Sequence, residues 1–114
     1  MGESILTSIK KLLGIEEDYT IFDTDIIIHI NSVFSVLHQL GLGPEGGFVI
    51  SDDTMNWSDY IGNSNNLFMV KTYVYLKVKL VFDPPSSVGA TEAIEREIKE
   101  LEWRLNVAVD PEEI

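Results

Sequence analysis

The chain has 114 residues and no cysteine. Disulfides, thiolate catalysis and cysteine-based zinc sites are therefore excluded, and a reducing compartment is compatible with the composition. No run approaches the roughly 18–20 consecutive apolar residues that a membrane-spanning helix needs. The N-terminus has no basic segment ahead of an apolar stretch. We therefore expect neither a membrane association nor a secretory signal.

Basic residues are scarce. Eight lysines and arginines accompany nineteen acids, so the net charge is −11. Residues 1–66 carry ten acids and two lysines, a balance of −8, whereas residues 67–114 carry nine acids and six bases, a balance of −3. Such an acidic chain repels phosphate backbones, so we expect no sequence-independent DNA or RNA binding. The charge either serves solubility or lets a surface face nucleic acid without adhering to it.

Apolar residues are sufficient for one compact core, since 45% of the chain is hydrophobic. The sequence predicts a mainly α fold: a small bundle of about four main helices, with a long irregular loop between the second and third. We place these helices at about residues 4–13, 24–40, 67–82 and 91–105. Helical spacing of apolar residues supports the first, second and fourth, and Gly14 and Gly41 are natural C-terminal stops.

The segment from Leu67 to Phe82 is ambiguous, because alternation of apolar and polar residues also suits a strand. Its sixteen residues contain neither glycine nor proline, which is long for a strand, and Pro84 follows its end. We therefore predict a helix. Its lysines, Lys71, Lys77 and Lys79, form either a solvated face or a surface that meets the acidic half of a neighbouring copy. The second option suits head-to-tail, ring-closing association.

Residues 41–66 are the irregular region. Phe48-Val49-Ile50 could form a short strand or hairpin edge, and Ser51 to Thr54 could cap a brief helix through Trp57 and Tyr60. Long connections are often functional, so we prefer this region as the interaction site. Trp57 is either folded back or reserved for a partner. If it is reserved, its replacement by alanine should leave folding intact and weaken assembly.

Other side chains are assigned from local pattern. Lys10 and Lys11 are expected to point outward from the first helix. Five aromatic residues are expected in the core: Phe22, Phe34, Phe68, Tyr73 and Phe82.

Nothing in the sequence requires a catalyst, a cofactor or a metal. His29 and His38 are nine residues apart on one helix, or roughly 13–14 Å, which is too far to share a metal. Asp52 and Asp53 lack the spacing of an EF-hand and suit helix capping better. No glycine cluster is followed by the Lys-Ser/Thr of a phosphate loop. We therefore predict a non-enzymatic protein.

Four stretches in order resemble the phage head–tail connector proteins, also called head-completion or adaptor proteins: ILTSIKKLLGI, DTDIIIHINSVFSVLHQLGLGP, VKTYVYLKVKLVFDPP and EREIKELEWRLN. The resemblance covers about Ile5 to Val107. It implies a mostly helical subunit of the virion head–tail junction, present in the host cytoplasm during assembly. It further implies a homo-oligomeric ring of about a dozen copies on the portal protein, which extends the DNA channel and receives a stopper or tail-completion protein.

The resemblance also nominates interfaces. It implies that residues 44–60 face the channel or the next component and that residues 103–114 meet the portal. We expect a single domain over residues 1–105 and an acidic, flexible and extended tail over 106–114. The candidate interface residues are Glu45, Phe48, Asp52, Asp53, Trp57, Tyr60, Lys71, Lys77, Lys79, Trp103, Asp110, Glu112 and Glu113.

Two other functions stay open. An acidic DNA mimic that inhibits a DNA-binding protein would suit the charge of −11. Long apolar helices and the lysines of the third helix argue against a uniformly acidic face. An enzyme or small-ligand module is the third alternative, and it lacks a reactive cluster.

Overall fold

The computed structural model describes residues 3–62 and 66–109. These ranges form five helices and no strand: α1 (Ile5–Leu13), α2 (Asp23–Gln39), α3 (Trp57–Ile61), α4 (Leu67–Phe82) and α5 (Val88–Val109). The predicted mainly helical class is confirmed. The ambiguous third segment is a helix with the predicted bounds.

Helix α4 is the centre of the fold. It packs against α1, α2 and α5, and its buried residues include Val70, Tyr73, Val74 and Val78. A helix that has neighbours on several sides needs apolar residues around most of its circumference. This requirement explains why the α4 sequence also resembled a strand.

Helices α2 and α5 run antiparallel to α4. The ring of Phe22, just before α2, lies 5.3 Å from the ring of Phe82 at the end of α4. On the other side, the Tyr73 hydroxyl donates a hydrogen bond of 2.7 Å to Glu102 of α5. The α2, α4 and α5 helices therefore lie side by side, with α1 packed against α2 and α4.

Helix α5 is longer than predicted. It begins at Val88 and ends at Val109, so residues 106–109 are helical rather than extended. One face, with Ile98, Leu101 and Leu105, is buried, and the helix continues past the last of these contacts. Residues 110–114, the rest of the predicted tail, lie outside the described residues.

Lys10 does not point outward as predicted, although its neighbour Lys11 does. The chain after Gly14 folds back over α1. The Lys10 ammonium donates to the carbonyl oxygens of Glu17 at 2.9 Å and Tyr19 at 2.8 Å. It also lies 2.9 Å from the Asp23 carboxylate. The buried ammonium thus has two hydrogen-bond acceptors and one ion-pair partner, and these contacts fasten the α1–α2 turn.

The connection between α2 and α3 forms neither a strand nor a hairpin within the described residues. The Asn31 side chain bonds both backbone groups of Ile50, at 2.8 and 2.9 Å, so these groups need no neighbouring strand. An isolated bridge pairs Ser4 with Asn56. The brief helix starts at Trp57, where the Asp59 carboxylate accepts from the Asn56 amide. The expected capping by Ser51–Thr54 is therefore not what begins α3.

Candidate protein-interaction surfaces

Trp57 belongs to a buried cluster that we call the aromatic box: Phe34, Phe48, Trp57 and Tyr60. The Phe34 ring lies 5.5 Å from Phe48, 6.3 Å from Trp57 and 4.5 Å from Tyr60. Trp57 is only 2% exposed, and its indole donates to the Ser8 hydroxyl at 2.8 Å. Trp57 is therefore folded back and not presented to a partner. Replacement of Trp57 by alanine is therefore expected to destabilise the fold, contrary to the prediction from the sequence.

Tyr60 is packed equally closely. A Cβ added at Gly43, where φ is +84°, would lie 2.5 Å from the Tyr60 ring. Burial raises the pKa of the Tyr60 hydroxyl to about 12. This hydroxyl has no hydrogen-bond partner among the described residues. Tyr60, like Trp57, fills the core in this conformation, and Phe48 is half-buried against it.

The outer side of the α2–α3 connection carries the other residues nominated there. Glu45, Asp52 and Asp53 are exposed, and so is Val49, which sequence reasoning did not single out. Hydrogen bonds from the side chain and backbone of Thr54 lower the pKa of Asp52. This surface is acidic with one apolar residue, and it is held in place from beneath by the aromatic box.

The three lysines of α4 do not share a face. At 100° per residue, Lys71, Lys77 and Lys79 point to different sides of the helix. Lys71 lies 2.6 Å from Glu3 and Lys79 lies 3.6 Å from Asp83. The Lys77 ammonium lies 5.8 Å from the centroid of the Tyr73 ring. Each lysine is half-buried at a different edge of the central helix, so one basic α4 surface is not formed.

Three exposed apolar residues gather where the α1–α2 turn meets the half-buried Phe82 at the end of α4. We call this group the end patch: Tyr19, Ile21, Phe22 and Phe82. The Phe22 ring makes edge contacts with Tyr19 at 5.8 Å and Phe82 at 5.3 Å. Tyr19, Ile21 and Phe22 are 49%, 70% and 39% exposed. Phe22 is therefore not the core residue that was expected, because it precedes α2 and lies at the edge of the bundle.

A second exposed surface runs along α5. Arg96, Lys99, Trp103 and Val107 follow one another at intervals of three and four residues, so they share a side of the helix. We call them the α5 ridge. Trp103 is 67% exposed and Val107 is 49% exposed. Trp103 is therefore available to a partner, as nominated.

Phe68 also lies outside the core, contrary to the prediction from the sequence. It was expected in the core and is instead 81% exposed at the start of α4. Its neighbours Leu67 and Met69 are half-buried. The first turn of α4 is therefore apolar on its outer side as well, which the sequence pattern could not distinguish from core.

A groove of about 590 Å³ lies between α4 and α5. It is open, and its lining includes Lys77, Leu80, Glu95 and Lys99. Beneath it, burial and then the hydrogen bond and negative charge of Glu102 raise the pKa of Tyr73. In the described ranges no three His, Asp or Glu side chains converge as metal ligands. The groove thus has charges of both signs and an apolar floor.

No described helix is both long and apolar enough to span a membrane. Comparison with protein families shows that residues 5–112 match a family described as phage connector protein. Neither the curated proteins nor the solved structures contain a match. The family match spans all five helices and both exposed apolar surfaces.

Proposed function

Because the chain belongs to the phage connector protein family, we propose that this phage structural protein joins the DNA-filled head to the tail. In this proposal, about a dozen copies form a ring on the portal protein and extend its channel toward a stopper or tail-completion protein. The family match from residue 5 to residue 112 is the observation that carries the proposal. The expected location is the virion, with the host cytoplasm as the place of assembly.

The exposed surface supports an assembly role. The end patch, the α5 ridge and Phe68 expose large apolar side chains at different places on one small subunit. Grouped apolar residues on a protein surface mark contacts with other polypeptides. A ring subunit needs contacts with two neighbours and with the components above and below it. Several separate apolar surfaces meet this need better than a single one would.

We assign two groups of nominated residues to the two axial contacts of the subunit. The outer side of the α2–α3 connection, with Glu45, Val49 and Asp52, is proposed to face the tail-side component. Residues 110–114, which include Asp110, Glu112 and Glu113, are proposed to reach the portal from the end of α5. The acidic balance of −11 disfavours tight binding of the DNA that passes through the ring.

Electron microscopy of the chain with the portal protein of the same phage would test the proposal. We expect an added ring of density on the portal when the two proteins are co-expressed and purified together. The chain shortened after Val109 is the matched variant, and it should keep the helical fold but bind the portal less well. A portal that carries no added density at saturating amounts of the full chain would contradict the proposal.

The acidic DNA mimic predicts a different result. Such an inhibitor would form a tight, salt-sensitive complex with a nuclease or another DNA-binding protein and would add nothing to a portal. The exposed apolar end patch and the exposed basic residues Arg96 and Lys99 interrupt an acidic surface. The structural role therefore accounts for more of the described surface.

A further inference from the structure

Helix α5 is attached to the rest of the subunit mainly through one neighbour. Helices α1, α2 and α4 pack against one another in all three pairs, whereas the main packing partner of α5 is α4. The buried side chains of α5 are Ile98, Leu101 and Leu105. Among the described residues, the bond from Tyr73 to Glu102 is the one side-chain hydrogen bond between α5 and another element. Release of α5 would therefore leave α1, α2 and α4 packed against one another.

The link between α4 and α5, residues 83–87, is held only from its own two ends. The Lys79 ammonium of α4 donates to the Asp83 carbonyl oxygen at 3.1 Å, and the Ala90 amide of α5 donates to the Ser87 hydroxyl at 2.9 Å. In the described part of the chain, no hydrogen bond joins the link to α1, α2 or α3. Four of its five residues are exposed. The link can therefore change its path without breaking a bond to the other helices.

Two prolines give the link a preference for an extended path. Pro84 and Pro85 fix φ at about −65° and restrict the residue that precedes each of them. Consecutive prolines favour the polyproline II conformation, which rises about 3.1 Å per residue. Within one subunit the link must instead reverse the chain, because α5 runs antiparallel to α4. An extended link would carry α5 away from its own α4.

Exposed apolar side chains flank the link on both sides. Val81 near the end of α4 is 62% exposed, and Val88 at the start of α5 is 74% exposed. When two subunits exchange the segment that follows the link, their links pass beside each other and can cover these side chains. Because burial of apolar surface is favourable, an exchanged arrangement gains a contact here that the single subunit lacks.

We propose that α5 of one copy detaches from its own α4 and occupies the same surface on the α4 of a second copy. The fold itself specifies this occupant, because the surface that α5 leaves is already complementary to the α5 sequence. Each copy gives its α5 to one neighbour and receives α5 from another, so the exchange is head to tail and can close a ring. This inference rests on the proposed ring and names the contact that joins its subunits.

Cysteine crosslinking tests the exchange directly, because the chain has no cysteine of its own. Lys77 of α4 and Lys99 of α5 line the same groove. Lys77→Cys and Lys99→Cys are introduced into separate full-length chains, one of which carries a tag that separates mixed dimers on a denaturing gel. After incubation together, a short bismaleimide should give a mixed dimer whose yield grows with incubation time. A yield no higher than that of Lys77→Cys mixed with Val49→Cys, which is exposed on the α2–α3 connection, would overturn the proposal.

The rate of crosslinking separates exchange from a contact between two fixed surfaces. Tyr73→Phe removes the hydrogen bond to Glu102 from the original and the exchanged arrangement alike. It should therefore speed the appearance of the mixed dimer several-fold and leave the final yield unchanged. Tyr75→Phe is the control and should alter neither, because two residues place Tyr75 on nearly the opposite side of α4. An unchanged rate for Tyr73→Phe would show that the grooves meet without exchange and would refute the proposal.

A covalent lock distinguishes failure of this inference from failure of the proposed function. A chain with both Lys77→Cys and Lys99→Cys, treated with bismaleimide at low protein concentration, has α5 joined to its own α4. Locked chains should form no ring on the portal, whereas the same chain with both cysteines capped by N-ethylmaleimide should form one. A ring of locked chains would remove the inference and leave the function. A mixed dimer in solution without any ring of the original chain on the portal would do the reverse.

Discussion

The Trp57 indole nitrogen lies 2.8 Å from the Ser8 hydroxyl, although 49 residues separate the two in the chain. Ser8 in turn donates to the Ile5 carbonyl at 3.0 Å within α1. The backbone follows the same path, since the Ile5 amide bonds Met55 and the Trp57 amide bonds Glu3, both at 3.0 Å. The irregular connection before α3 is therefore fastened to the first helix by backbone and side chain together.

This relationship predicts that Trp57→Ala destabilises the subunit. The substitution empties a large buried volume and leaves Ser8 without its donor, so we expect a loss of about 3–5 kcal/mol in the free energy of unfolding. Trp103→Ala is the matched control, because Trp103 is 67% exposed, and it should change the value by less than about 0.5 kcal/mol. Urea titration followed by circular dichroism measures both. Equal effects of the two substitutions would show that Trp57 is not core.

A second prediction compares two adjacent lysines. Lys10→Met leaves the Asp23 carboxylate and two carbonyl oxygens without their buried cation. The free energy of unfolding should therefore fall by about 3 kcal/mol or more. Lys11→Met removes the same charge from an exposed position. Its free energy of unfolding should stay within about 0.5 kcal/mol of that of the original chain. Thermal and urea unfolding of both variants give the comparison. A Lys10→Met protein as stable as Lys11→Met would mean that the buried contacts are not formed.

The third prediction separates backbone strain from a steric clash. Gly43 and Gly47 both have positive φ, at +84° and +91°, but only Gly43 faces the Tyr60 ring. Gly47→Ala should lower the free energy of unfolding by about 1 kcal/mol, because an L side chain is unfavourable in this left-handed backbone conformation. Gly43→Ala should cost clearly more, because its methyl group overlaps a ring that the aromatic box holds in place. Melting temperatures measured side by side test this, and equal shifts would contradict the clash.

A fourth prediction concerns alkaline pH. The pKa of Tyr60 is about 12 in the folded chain and about 10 when the chain is unfolded. Below pH 10 the hydroxyl is neutral in both states, and its contribution to stability is fully present. As the pH rises through 10 toward 12, the unfolded chain ionises first and the contribution is lost.

Unfolding free energies measured from pH 8 to pH 11 should therefore fall, with part of the fall due to Tyr60. Tyr60→Phe keeps the ring and removes a buried hydroxyl that has no partner among the described residues. It should leave stability near neutral pH almost unchanged and make the alkaline decline shallower. Tyr75→Phe, at a half-buried position, serves as the control substitution. An identical pH dependence for Tyr60→Phe and the original chain would refute the assignment.

Local signals accounted for the helices. Gly14 ends α1 with φ +83°, and α4 ends at Phe82, just before Asp83 and two prolines. Capping, the backbone limits of proline and the spacing of apolar residues act within a few positions of the chain, so they can be recognised from the sequence. Ile98, Leu101 and Leu105 follow such a spacing, and they form the buried face of α5.

The fate of individual aromatics could not be recognised in this way. Phe34 and Phe22 both belong to the same helical region, yet Phe34 is 1% exposed and Phe22 is 39% exposed. Phe68, which was expected inside, lies outside, and Trp57, for which the sequence left both places open, lies inside. A hydrophobic side chain favours burial, but its hydrophobicity does not specify which distant segment packs over it.

By itself, the sequence determined the class of fold, the positions of its main helices and the excess of negative charge, because each follows from local backbone preferences or from composition. Only the tertiary structure decided that Lys10 is buried, that the α4 lysines diverge, and that the end patch and the α5 ridge stay open. Those outcomes depend on which distant segments pack together around α4. Packing of that kind is a property of the whole chain and not of any stretch within it.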